Sequence, residues 1–153
     1  MEAVRRDWTK LAHELQRQLL DLLFHDAGPE AIEQCAVESV RALRAGEKDQ
    51  DLIYRKSLRK PVADYTRNVP PHVQAARLLP RPRGVIQYVV TCDGPQPVGR
   101  LSAPPDYEHY VRKQIEPLLR TIAEVSPIDV ESAMKGATSL FGAQVWAGLR
   151  RKA

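Results

Sequence analysis

Between Arg55 and Arg83 the chain reads RKSLRKPVADYTRNVPPHVQAARLLPRPR. Eight residues of this stretch are basic (Arg55, Lys56, Arg59, Lys60, Arg67, Arg77, Arg81, Arg83) and one, Asp64, is acidic, a net charge of +7. The whole 153-residue chain carries +4, so the remainder is at −3. Charge concentrated in this way attracts a polyanion and releases its counterions on contact, which makes nucleic acid the first partner to consider. Hydrolysis or group transfer would need converging groups of another kind. His13, His25, His72 and His109 are scattered without metal-ligand spacing, and there is neither a nucleophile elbow nor a Gly-rich phosphate loop. Asp49 and Asp51 form a close carboxylate pair, which reads either as two-metal chemistry or, more simply, as a solvated loop. Asp106 and Glu108 suit a helix start.

Three features separate the basic stretch from an ordinary solvated face. Its cations recur in pairs, Arg55-Lys56 and Arg59-Lys60, so different faces can straddle two phosphates. Tyr54, Tyr65 and His72 interleave with them as stacking or hydrogen-bonding groups. Pro70-Pro71 opens a helix whose first N–H groups could hold one further phosphate. No recognition helix is apparent, so binding is expected to follow backbone and shape rather than base sequence.

The elements that must position these groups form a mainly α, α+β chain. Trp8, Leu11, Leu15, Leu19, Leu22 and Leu23 mark one stripe of a helix over 7–25, capped by Asp7 or Thr9 and stopped by Gly28-Pro29. A second helix runs from Pro29 to Leu43, and the two should pack as an antiparallel hairpin. Leu52-Ile53-Tyr54 is a short strand-like run, and short helices are predicted over about 61–66 and 70–79. VIQYVVT, residues 85–91, is the best strand; Asp106 to about Val125 is a long helix with a kink at Pro117, followed by a shorter one over 127–135. Residues 1–135 then make one domain and 136–153 a tail. No apolar run approaches a membrane span, and Cys35 and Cys92 lack partner spacing, so the chain reads as cytosolic with buried or idle thiols.

YRKSLRKPVADYTRNVPPHVQAARLL, GVIQYVVTCDGPQPV and PPDYEHYVRKQIEPLLRTI, in that order, resemble the C-terminal thumb of family B DNA polymerases, in its bacterial polymerase II branch. MEAVRRDWTKLAHELQRQLL is similar to the segment that leaves the palm in that family, and the resemblance covers about residues 1–126. It implies a helical thumb domain that grips the minor-groove side of primer–template duplex behind the active site. Carried onto matching positions, it implies phosphate contacts at Arg55, Lys56, Arg59, Lys60, Tyr65, Arg67 and His72, with Pro61 and Pro70 shaping the backbone. For Tyr65 the competing reading is a core tyrosine with its hydroxyl on a carbonyl. Asp7 of the Val-Arg5-Arg6-Asp7-Trp8 motif could pair an arginine across the palm–thumb junction.

The departures bear on activity. Family B catalysis uses palm aspartates that hold two magnesium ions, and neither motif occurs here, nor do fingers or exonuclease carboxylates. The expectation is a detached thumb of a nucleotidyltransferase, bacterial and cytoplasmic, serving DNA replication and repair. It would be inactive alone and without a cofactor of its own, with primer–template DNA and a palm domain as partners. The rival is a separately encoded module that docks onto a polymerase body. Leu140 and Phe141 keep part of a sliding-clamp peptide but lack its Gln and first Leu. They are either clamp-binding or, with Trp146, close the core or lie disordered.

Overall fold

The computed structural model describes residues 8–135. Helices α1 (Lys10–Phe24) and α2 (Pro29–Arg44) form the expected hairpin, with Leu11, Leu15 and Leu19 facing Ile32, Ala36, Val40 and Leu43 in the core. Thr9 caps α1, its hydroxyl accepting the Ala12 N–H. The stop comes two residues before Gly28: Asp26 takes φ 57°, and the Ala27 N–H returns to the Leu22 carbonyl. Gly46 does the same for α2 at φ 81°, with the Glu47 N–H on the Ala42 carbonyl.

Strands β1 (Tyr54–Ser57), β2 (Val85–Thr91) and β3 (Gly94–Pro97) make one antiparallel sheet in the order β1-β2-β3. Tyr54 pairs with Tyr88 and Ser57 with Val85, while Tyr88 also pairs with Pro97. The strand-like run at 52–54 yields a strand only from its last residue, because the Leu52 carbonyl is taken by the Tyr110 hydroxyl at 2.7 Å. Strand β3 was not anticipated, since Pro95 and Pro97 argue against a strand. The Val98 N–H points at β2, so by alternation the nitrogens of Pro95 and Pro97 point to the open edge of the sheet, where a missing N–H is tolerated. The helices expected at 61–66 and 70–79 shrink to a single 3-10 turn (Val62–Asp64) and a short α3 (Pro71–Ala76). The Tyr65 N–H bonds back three residues to Val62, and Asn68 at φ 47° turns the chain away from a helix. Helix α3 packs on β2 and β3, bringing Ala75 and Ala76 into the same core as Ile86 and Tyr88.

The long helix is present in three parts: α4 (Tyr107–Tyr110), one π turn (Val111–Ile115) and α5 (Glu116–Ala123). Pro117 has no N–H to give, and the π turn before it is where the hydrogen-bond ladder changes step. Tyr110, Ile115, Leu118, Leu119 and Ile122 all face inward as the periodicity predicts. Helix α6 (Val130–Lys135) closes against α2 and α5.

A buried polar chain joins these parts. The Gln114 carboxamide oxygen accepts the Thr9 backbone N–H at 3.0 Å and the Thr9 hydroxyl at 2.9 Å. Its nitrogen donates to the Tyr54 hydroxyl at 3.1 Å, and that hydroxyl lies 2.9 Å from His109 Nε2. The Tyr54 ring stacks on Tyr88 and Tyr110, with centroids 5.2 and 5.5 Å away. Burial holds the His72 and His109 imidazoles below the ordinary value of 6.5; Lys56 adds to this at His72, while Asp106 opposes it at His109. Below that pH the unfolded chain binds protons that the folded chain refuses, so stability rises with pH through the window beneath 6.5. The melting temperature should therefore drop as the protein is taken from neutral into mildly acidic buffer. H109Q should flatten that dependence, and a wild-type melting temperature indifferent to pH there would show that neither ring is held neutral.

Candidate nucleic-acid interface

The cations of this protein divide into two populations. On the helical side four arginines are paired: Arg17 with Glu14 at 3.1 Å, Arg44 with Glu108 at 2.8 Å, Arg120 with Glu131 at 2.8 Å, and Arg41 with both Glu38 and Glu47; Arg112 and Lys113 there are exposed and make no ion pair with a described residue. Arg55, Lys56, Arg59, Lys60, Arg67, Arg81 and Arg83 are exposed and make no ion pair with another described residue. Exposed charges left without partners repel one another and keep their full attraction for an external anion.

β1 and the loop after it position the first four. Strand alternation sends Lys56 to the face of Tyr54 and Ile86, and Arg55 to the opposite face with Ser57 and Gln87. The chain is then held at the sheet by the Leu58 N–H, which donates to the Gly84 carbonyl at 2.9 Å. Arg59, Lys60 and Arg67 follow in a loop with a single 3-10 turn, and its shape is set by Tyr65. The Tyr65 hydroxyl accepts the Arg59 backbone N–H at 3.2 Å, and the Lys60 ammonium sits 4.7 Å from the ring centroid. The Tyr65 carbonyl accepts from the Arg77 guanidinium at 3.1 Å, and the ring meets His72 edge-on at 6.1 Å. Tyr65 is thus half-buried, and its hydroxyl takes a backbone N–H rather than giving to a carbonyl. Its own proton stays available to a second acceptor.

His72 sits apart from the exposed set. Its residue is 4% exposed, and Nδ1 is buried without a hydrogen-bond partner among the described residues. The helix start beside it also offers less than the Pro70-Pro71 pattern suggested. The N–H groups of Val73 and Gln74 both already donate to the Pro70 carbonyl, at 3.0 Å each. Asp49 and Asp51, in a 3-10 turn, are likewise engaged: Asp49 accepts from the Tyr107 hydroxyl at 2.9 Å, and Asp51 lies 3.8 Å from the Lys10 ammonium. Burial and that hydrogen bond push the Tyr107 phenol up to about 12. Among the described residues, no group of three or more His, Cys, Asp or Glu could hold a metal ion, and no helix is long and apolar enough to cross a membrane. Cys35 and Cys92 are free thiols. Arg5, Arg6, Asp7, Leu140, Phe141 and Trp146 lie outside the described residues. Sequence reasoning missed the part Arg77 plays, because nothing in the spacing of a lone arginine points at a carbonyl twelve residues earlier.

Several known DNA polymerases are similar to this chain in sequence. The chain is 40% identical, over 92% of its length, to DNA polymerase II of Escherichia coli (strain K12). Over most of its length it is homologous to family B DNA polymerases. It is also 31% identical over 88% of its length to DNA polymerase 2 of Aeropyrum pernix, and 26% identical over 95% to a DNA polymerase of Thermococcus kodakarensis. The chain spans 19% of the first of these polymerases, 18% of the second and 10% of the third. No protein-family model matches it.

Proposed function

We propose that this chain is the thumb portion of a DNA polymerase II-like enzyme, a duplex-gripping domain that holds primer–template DNA by its phosphates during synthesis. The observation that carries the reading is the division of charge: the helical half ties four of its arginines, Arg17, Arg41, Arg44 and Arg120, to carboxylates, whereas the sheet and the 58–70 loop leave theirs open. Homology to DNA polymerases supports DNA as the polyanion.

On this reading Arg55, Lys56, Arg59, Lys60 and Arg67 take phosphates, and Tyr65 orders their loop while offering its hydroxyl proton. His72 acts from beneath, packing its ring against Tyr65. Catalysis belongs to a palm outside this chain, whose acidic motifs hold the magnesium; alone the chain binds and does not polymerise. With about five phosphates neutralised, the logarithm of the affinity for primer–template duplex should fall with log salt at a slope of roughly −4 to −5. A slope near zero, or no binding at low salt, refutes the reading.

A further inference from the structure

The register of the sheet exposes a second surface. Residues paired across strands share a face, so Arg55 lies with Gln87 and Ser57 with Val85 on the side of β1 and β2 opposite Tyr54, Tyr88 and Ile86. The inner side is covered, since α3 packs on β2 and β3 and shares the core with Ile86 and Tyr88. The outer side is open at this end: Arg55, Ser57 and Gln87 are exposed, and Val85 is 57% exposed.

The chain after β3 extends the open face. The Val98 N–H still donates to the Gln87 carbonyl at 2.9 Å, which sets Val98, 42% exposed, beside Gln87. The Arg100 N–H then turns back onto the Pro97 carbonyl at 3.0 Å. Ser102 next bonds both ways with the Gln96 carboxamide, at 2.8 and 2.9 Å, and this covers the outer face further along while leaving its near end bare. Arg83, just before β2, and Arg100, just after β3, therefore lie at the same end of the sheet. Both are exposed, and neither makes an ion pair with a described residue. Arg100 stands outside the basic stretch, and no charge count along the sequence joins it to that stretch; the antiparallel turn at 92–93 does.

We propose that this open sheet face is a second nucleic-acid contact surface, on which Arg55, Arg83 and Arg100 hold the phosphates of a duplex backbone. Ser57 and Gln87 supply neutral hydrogen-bond donors, and the methyl groups of Val85 and Val98 lie against the sugars. The proposal rests on the DNA-binding reading above and widens the grip from one loop to both sides of the sheet edge. One side is then Lys56 with the 59–67 loop, and the other is the face carrying Arg100.

The test compares three versions of the 153-residue chain on the same short DNA duplex, as fluorescence anisotropy against salt: wild type, R83Q/R100Q, and R59Q/K60Q/R67Q. Removing two phosphate contacts should shrink the magnitude of the log–log salt slope by roughly 1.8 and weaken binding about tenfold at low salt. Thermal melts should match wild type, because both side chains are exposed. If R83Q/R100Q binds like wild type while the loop variant is weakened, the open face is not a contact surface and the loop reading stands. If wild type itself does not bind, both fall. If R83Q/R100Q is weakened and the loop variant is not, the face is the site and the loop is not.

Discussion

Replacing Tyr110 with Phe should destabilise the protein by about 2–4 kcal/mol, the largest effect expected of a single-atom deletion here. The Tyr110 hydroxyl donates to the Leu52 carbonyl at 2.7 Å and accepts the Val90 N–H at 3.0 Å, with the residue fully buried. In the β1–β2 register Leu52 and Val90 would form the next hydrogen-bonded pair, two positions beyond Tyr54 and Tyr88, so this hydroxyl stands in for a missing rung of the ladder. Phe keeps the ring and its stacking on Tyr54 but strands a donor and an acceptor out of reach of water, each worth roughly 1–3 kcal/mol. Urea unfolding should show a lower midpoint with an unchanged slope, and a midpoint within about 0.5 kcal/mol of wild type would mean another group takes over both bonds.

The largest effect on binding should come from R55Q/K56Q/R59Q/K60Q. If each of these cations meets a phosphate, the variant loses about four counterion-releasing contacts, and the salt slope should weaken by roughly 3–4. Affinity for duplex DNA near physiological salt should drop at least a hundredfold, about 1.4 kcal/mol per factor of ten. Among the described residues none of the four is held by an ion pair, and the one ordered contact, Lys60 over the Tyr65 ring, is worth only about 0.5–1 kcal/mol at an exposed site. The fold should therefore survive, and a melt near that of wild type separates lost grip from lost structure. A quadruple variant with wild-type slope would mean that these four residues do not meet DNA.

The elements legible in the sequence were those that one local rule decides. The α1–α2 hairpin follows from a 3.6-residue apolar stripe with a proline start, and β2 from a β-branched run between turn residues. Strand β3 was illegible because its prolines argue against a strand until the partner is known to lie on one side alone. The loop after β1 was illegible for a different reason. Its shape comes from Tyr65 reaching Arg59 and being reached by Arg77, contacts that no periodicity encodes. The candidate site was legible as charge and not as geometry. A count along the chain finds Arg55 to Arg83, but it cannot tell that Arg55 and Lys56 diverge across a strand, that His72 turns inward, or that Arg100 joins at the sheet end.

The division between paired and unpaired cations also sets how the fold itself answers to salt. In the free protein the open arginines and lysines push against one another, a cost of compactness that mobile ions relieve. A phosphate backbone relieves it more completely, because its charges are fixed at short range, and any ligand that binds only the folded chain adds its own stabilisation. Salt therefore acts in opposite senses on the two states, firming the bare domain while loosening its hold on DNA. The titration that reads the binding slope, repeated on the melting temperature of the free protein, should read that second sign.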